Sequence, residues 1–388
     1  MLKDKFIEIF GGAADDLRVF TAPGRVNLIG EHIDYNGGSV FPAALTMGTT
    51  LVARKRNDNI IRMRATDLDI TVEVDTNRLD SYKDSLDWGA YQVGVAAQLQ
   101  KEGHFVSGCD ILYHDTLPHG AGLSSSAAIE LSTALLFMNL AGDNNPDMIK
   151  AAQICQVAEH NFIGVKCGIM DQFASAMGKA DHAICLDCAT LSYEYVPINL
   201  SDYSIVITNT HKKHSLGASQ YNIRRNECMQ GLSEMQNVLP DITCLADVCP
   251  GDFEEYAHIL SDDVIFRRLR HVITECDRVK QGVKALKCGN ISLFGALMNL
   301  SHHSLKNDYE VSCVELDILA ETAQALPYVA GSRMTGAGFG GCTVSLVKSD
   351  CTDEFKKELT RVYSGKTGIT PSFYVSETGD GAREIMEL

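Results

Sequence analysis

The sequence predicts a mixed α+β fold in two domains, and three observations carry that expectation. At 388 residues, 45% of them apolar, the chain exceeds the usual domain of about 100–200 residues and can fill more than one core. Its strand-like and helix-like stretches do not keep the strict βαβ alternation of a doubly wound sheet. Its middle holds a strand, a glycine-serine loop and a long apolar helix in direct succession. No internal repeat, low-complexity tract or charge block interrupts the pattern, so the chain is expected to be folded nearly end to end.

Taken in order, 40–51 and 60–74 have the β-branched, alternating character of strands, and 88–100 reads as a helix before a turn at Gly103. Residues 109–113 form a short predicted strand. After the glycine-serine loop, 127–141 is an apolar helix whose one charge is Glu130. The turn 142–145 offers Asn145 as an N-cap with Pro146 at the first helical position. Met148, Ala151, Cys155, Ala158 and Phe162 then recur every three or four residues, a buried helical stripe ending near Gly164. Residues 183–188 and 203–208 read as strands flanking a polar connection. A boundary there, between about 185 and 205, divides the chain into 1–195 and 196–388. Beyond it the pattern predicts helices over 218–236, 263–287 and 315–325 and strands over 343–348 and 372–375.

Composition excludes several classes of function. A net charge of −16 argues against nucleic acid or an anionic membrane as the main partner, because both select a basic face. No stretch approaches the roughly 20 apolar residues of a membrane span. The N-terminus lacks the apolar core of a secretory signal, so the cytoplasm is the expected location. Thirteen cysteines, odd in number and without a regular frame, fit reduced thiols better than a disulfide scaffold. The sequence leaves the oligomeric state open and is compatible with a monomer.

The chemistry concentrates in four segments. In 117–127, Gly120 and Gly122 let backbone amides approach an anion, and the following helix presents unpaired N–H groups and a positive dipole end. Ser124, Ser125 and Ser126 can cap that turn, or one hydroxyl can ligate a metal ion riding on phosphates; a plain glycine turn with a serine N-cap is the alternative. In 24–38, Arg25, Glu31, His32 and Asp34 stand among Val26, Leu28 and Ile29, which tie the polar groups to a core and suit them to a hydroxylated ligand. No HExxH spacing supports a metal site there. In 166–173, Asp171 follows a glycine turn: either a helix cap, or a carboxylate that orients or deprotonates an alcohol if it faces Arg25. Glu159, on the flank of the apolar stripe, suits Mg²⁺ shared with a serine hydroxyl and a phosphate, or an edge salt bridge with a lysine. Gly336 to Gly341 formally match G-x-G-x-x-G, but a strand follows where a dinucleotide site needs a helix. The better reading is a second glycine turn packed near the first loop. Cys185 and Cys188 read as core, and His211 and His214 as a solvated turn.

Together these segments resemble the GHMP family of small-molecule kinases, and within it the galactokinases. Residues 24–38 are similar to that group's galactose-binding signature, 118–127 to the family's ATP loop and 335–342 to its third, glycine-rich motif, all in the family's order; Ile33 stands where threonine is usual. The resemblance implies two α+β domains with the active site in the cleft between them, and ATP- and Mg²⁺-dependent phosphorylation of the C1 hydroxyl of α-D-galactose. It implies Asp171 as catalytic base, supported by Arg25, and a sugar lined by Glu31, His32, Asp34, Gly168, Asp171 and Tyr221. Phosphates would be cradled by Gly120, Ala121, Gly122, Leu123, Ser124, Ser125 and Ser126, with Ser126 and Glu159 on the metal. A related sugar 1-kinase, acting on N-acetylgalactosamine or arabinose, is the alternative enzyme. A non-catalytic galactose sensor is disfavoured, because the serine run, Asp171 and Arg25 are all present.

Overall fold

A computed structural model describes residues 1–86, 88–118, 120–200, 202–212 and 217–386, with the backbone alone for 217–219. His119 and His214 fall outside the described residues. In chain order the first part runs α1 (Leu2–Phe10), β1 (Arg18–Asn27), β2 (Ser39–Val40), β3 (Pro42–Lys55), β4 (Ile60–Ala65), β5 (Leu68–Asp75), α2 (Ala90–Lys101), β6 (Cys109–Asp115), α3 (Ser125–Leu140), α4 (Met148–Ala158), α5 (Met170–Met177), β7 (His182–Asp187) and β8 (Tyr193–Pro197). It continues with β9 (Tyr203–Asn209), α6 (Gly217–Met235), α7 (Pro250–Tyr256), α8 (Asp263–Lys287), α9 (Ile291–Asn307), α10 (Val314–Gln324), β10 (Val329–Thr335), β11 (Cys342–Lys348), α11 (Thr352–Thr367), β12 (Ser372–Ser376) and β13 (Arg383–Glu384).

Among the described residues the strands form three sheets: β13-β1-β3-β6-β4-β5, β10-β11-β9-β12 and β2-β7-β8. The mixed α+β class is the one that the sequence predicts. The C-terminal β13 returns to the first sheet, where Phe20 pairs with Glu384. One apolar core joins the sheets: Phe41, just before β3, meets Phe294 of α9 edge to face at 6.3 Å, and Ile29 and Val279 are buried in the same cluster.

Several elements differ from the sequence reading. Residues 24–27 continue a strand, so Arg25 projects from β1 and not from a loop. The register slips between Pro23 and Arg25, and a side chain on Gly24 would lie 2.5 Å from the Leu123 carbonyl. That close approach lets β1 touch the glycine-serine loop. The helix expected to start at Asn145 and Pro146 starts two residues later. Asp147 is its N-cap, accepting from the amides of Ile149 at 2.9 Å and Lys150 at 3.2 Å, because a carboxylate there satisfies two orphan donors at once. The buried stripe is present, but after Ala158 the helix widens into a π-helical turn over Glu159–Ile163 that ends at Gly164. β8 lies inside the stretch that reads as a polar connection, and α9 and α11 lie where the sequence reading places no helix.

Candidate active site

Six chain segments meet at one cavity of about 310 Å³: the end of β1 with the turn after it, the start of α2, the loop before α3, the link from α4 into α5, α6, and the glycine-rich turn between β10 and β11. Three of these hold a non-glycine residue in the left-handed region, His32 at φ 63°, Ser124 at φ 60° and Phe339 at φ 59°. Backbone strain gathered in this way is sustained where surrounding contacts over-determine it.

Arg25 and Asp171 form the centre. The Arg25 Nε and Nη2 both reach Asp171 Oδ1, at 2.9 and 2.7 Å. Arg25 Nη1 donates to the Gly122 carbonyl at 2.8 Å, and its main-chain N–H donates to the Leu123 carbonyl at 3.1 Å. The arginine is 4% exposed, whereas Asp171 keeps 30% of its side chain open to the cavity, so the carboxylate stays reachable while its counter-ion is fixed. The other oxygen, Oδ2, accepts from Ser124 Oγ at 2.6 Å. This alters the capping expectation: Ser124 occupies the N-cap position of α3, but its side chain makes no cap hydrogen bond.

Around this centre, Glu31, His32, Asp34, Gly168 and Tyr221 all line the cavity. Glu31 is buried and tied on both oxygens, accepting from Gly336 N at 2.6 Å and from the Asn27 side-chain amide, with Arg333 Nη1 at 3.5 Å. A side chain on Gly168 would fall 1.8 Å from Asp34 Oδ2, so only glycine lets the two chain segments meet. Burial and the nearby Asp171 carboxylate push the Asp34 carboxyl up to about 7. Burial pulls the His32 imidazole down to about 3, so the ring is neutral at any ordinary pH.

The phosphate-loop candidates divide. Gly120 and Gly122, both with positive φ, line the cavity. Ala121 and Leu123 turn their side chains into the core, leaving only their main chain for a ligand. Ser125 and Ser126 are half-buried in the first turn of α3. The turn 336–341 packs on this loop, since a Cβ at Gly336 would lie 2.7 Å from the Gly122 carbonyl.

Glu159 also lines the cavity. Its Oε2 and the Oε2 of Glu130 accept from the same Gln172 amide nitrogen, at 2.8 and 3.0 Å. Glu130 and Gln172 are fully buried, and Glu130 Oε1 has no hydrogen-bond partner. Burial drives both carboxyls upward, Glu130 furthest, with Glu159 raised further by Asp171 and Glu130 by Glu159. The two buried carboxyls share one neutral amide, and among the described residues no basic side chain pairs with either. Ser126 lies one helical turn before Glu130 on α3, on the same face. The all-oxygen donor set fits Mg²⁺.

Sequence reasoning missed Tyr91, Val165 and Met170 on the cavity wall. Tyr91 is the second residue of α2, where nothing local marks it as facing a site.

Three family models match the chain: the galactokinase galactose-binding signature over residues 4–55, the GHMP kinases N terminal domain over 90–179 and the GHMP kinases C terminal over 283–365. A galactokinase of Clostridium acetobutylicum is 47% identical over 388 residues, covering 99% of this chain and 98% of its own. The chain belongs to the galactokinase family. A galactokinase of Bacillus subtilis is 45% identical over 99% of this chain and 98% of its own. The crystal structure of Lactococcus lactis galactokinase complexed with galactose superposes with a TM-score of 0.94 at 41% identity, covering 99% of each chain. The fold is shared more widely, with a TM-score of 0.66 to Methanococcus jannaschii mevalonate kinase at 18% identity, covering 93% of this chain and 98% of that one. The family is one of ATP-dependent sugar kinases, and the fold class expected from the sequence is the family's own.

Proposed function

We propose that the protein transfers the γ-phosphoryl group of ATP to the C1 hydroxyl of α-D-galactose, giving galactose 1-phosphate and ADP. The observation that carries this reading is the Arg25–Asp171 pair, 2.7 Å apart, placed where the galactose-signature segment meets the glycine-serine loop.

Phosphoryl transfer asks mainly for placement and charge neutralisation. Asp171, its orientation fixed by Arg25 on one oxygen and Ser124 on the other, accepts the hydrogen of the sugar's C1 hydroxyl as that oxygen attacks phosphorus. Arg25 stays buried and cationic beside the forming bond, and balances the negative charge that builds on the transferred group. Glu31 and Asp34 accept from sugar hydroxyls, and Gly168 and Tyr221 complete the wall. The main chain of 120–124 offers amides to the phosphates at the start of α3. Glu159 and Ser126 would hold Mg²⁺, which when bound supplies positive charge to the β- and γ-phosphates. The division at about 195 is part of the proposal: strands of the six- and three-stranded sheets come from before it, except β13 and the last two residues of β8, and strands of the four-stranded sheet from after it. We place the protein in the cytoplasm, where ATP is supplied and its free cysteines stay reduced. Among the described residues no helix is long and apolar enough to cross a membrane. All site residues belong to one chain, so the reading needs no second copy.

The test is ADP release across a sugar panel including N-acetylgalactosamine and arabinose. Galactose is expected to give the highest kcat/KM and Asp171→Ala to abolish most turnover while still binding sugar. A fully active Asp171→Ala overturns the mechanism, and preference for another sugar overturns the substrate.

A further inference from the structure

A line of four side chains runs from His32 on the cavity wall into the core. His32 Nε2 lies 3.1 Å from the Ala337 carbonyl, and His32 Nδ1 lies 2.8 Å from Tyr35 Oη. Tyr35 Oη lies 2.8 Å from Tyr309 Oη, which lies 3.1 Å from Cys228 Sγ. Cys228 and Tyr309 are fully enclosed, and His32 is 4% exposed.

The direction of every bond in the line follows from its first member. A carbonyl only accepts, so Nε2 of His32 carries the hydrogen. A ring kept neutral by burial then has a bare Nδ1, which accepts from the Tyr35 hydroxyl. Tyr35 has spent its one hydrogen, so its oxygen accepts from Tyr309, and by the same count Tyr309 accepts from the Cys228 thiol.

The geometry points to Tyr35, Tyr309 and Cys228 as positioning residues that act through His32, locking it as the neutral Nε2–H tautomer and clamping the sugar loop to the third glycine-rich turn. Neither ring nitrogen of His32 is then left for a sugar hydroxyl. The imidazole serves the site as a strut, although it lines the wall. Two further features support this assignment. His32 has a left-handed backbone at φ 63°, a strained conformation for a residue with a Cβ, and anchors on both nitrogens hold it. Its neighbour Glu31 makes the same crossing, accepting from Gly336 N beside Ala337. The two links together fix the turn 336–341, which itself rests on Gly122. The structural assignment is independent of the substrate; its effect on KM rests on the galactose reading.

Long-range ¹⁵N correlation spectra of the full chain, with His32 assigned by the loss of its signals in His32→Gln, test the assignment directly. The expected spectrum is a single Nε2–H tautomer that does not titrate through the ordinary histidine range. An Nδ1–H tautomer, or titration near the ordinary value of about 6.5, overturns the proposal. Tyr35→Phe, which takes the donor from Nδ1, is expected to shift the His32 Nδ1 signal and to raise KM for galactose about tenfold while kcat stays within about threefold. Cys228→Ser, whose hydroxyl still donates, is expected to leave both unchanged. An unchanged His32 spectrum in Tyr35→Phe overturns the proposal. If galactose were the wrong sugar, the spectra would keep the stated form and the KM change would appear with the sugar actually used. If Tyr35→Phe failed to fold, the spectrum of the unaltered protein would decide.

Discussion

Ser124 donates its hydroxyl to Asp171 at 2.6 Å across 47 positions of sequence, so the residue at the head of α3 serves the carboxylate and not its own helix. Two separate loops are thereby locked at the reacting centre. Arg25 takes one carboxylate oxygen and Ser124 the other, and the aspartate has little freedom to turn.

Ser124→Ala is therefore expected to cut kcat by about ten- to a hundredfold, the equivalent of a lost hydrogen bond to a charged group worth ~1.5–3 kcal/mol. Because the serine side chain makes no cap bond, the melting temperature should fall by no more than a few degrees. Steady-state kinetics beside a thermal melt check this. A large melting shift with unchanged kcat would return Ser124 to a capping role.

Gly168→Ala places a methyl group 1.8 Å from Asp34 Oδ2, and the carboxylate must move. The expected result is a rise in KM for galactose of at least about tenfold with a smaller change in KM for ATP, since a 1 Å misplacement is costly in a preorganised site. Separate titrations of the two substrates measure it.

Asp34 has a folded-state pKa of about 7 against an ordinary 3.8, with burial as the main cause and Asp171 second. Between those values the folded protein holds a proton that the unfolded chain has released, so its contribution favours folding at low pH and is lost as pH rises toward 7. Urea midpoints of the wild type and of Asp34→Asn, which imitates the neutral carboxyl, should lie together near pH 4 and diverge as pH rises, the wild type falling below the variant. Galactose binding that requires the ionised carboxylate should also release protons near pH 7, seen by calorimetry in buffers of different ionisation enthalpy. Parallel urea profiles for the two proteins would show that Asp34 does not titrate in that window.

Glu159→Gln keeps the shape of the side chain and its place beside Gln172 but removes the charge. The Mg²⁺ concentration for half-maximal activity should rise by at least about ten- to a hundredfold. Mn²⁺ binding in the presence of ADP, followed by electron spin resonance without turnover, should weaken alongside it. Unaltered metal dependence would move the ligand elsewhere.

Much of the fold was legible because its signals are local. The helix over 263–287 is marked by an acidic cap, a regular apolar stripe and lysines in its last turn. The glycine-serine unit is marked by a strand, two glycines and an apolar run with a single charge within about thirty residues. α9 was not legible: Ile291, Leu293, Phe294, Leu297 and Leu300 put apolar groups around much of its circumference, and only packing selects the buried side, leaving Leu293 and Leu300 outside. Pro146 misled for a related reason. It is a good first helical residue, but Asp147 is a better cap and wins by its two hydrogen bonds.

By itself the sequence determined the family, the α+β class and the chemical types gathered in each motif, because propensity, periodicity and motif spacing are properties of neighbouring residues. Only the tertiary structure decided which atoms meet. Asp171 joins Arg25 across 146 positions, Tyr35 joins Tyr309 across 274, and the buried Glu130 and Glu159 share Gln172. Each of these depends on distance and on the low dielectric of a closed interior, and neither is encoded in any short window of the chain.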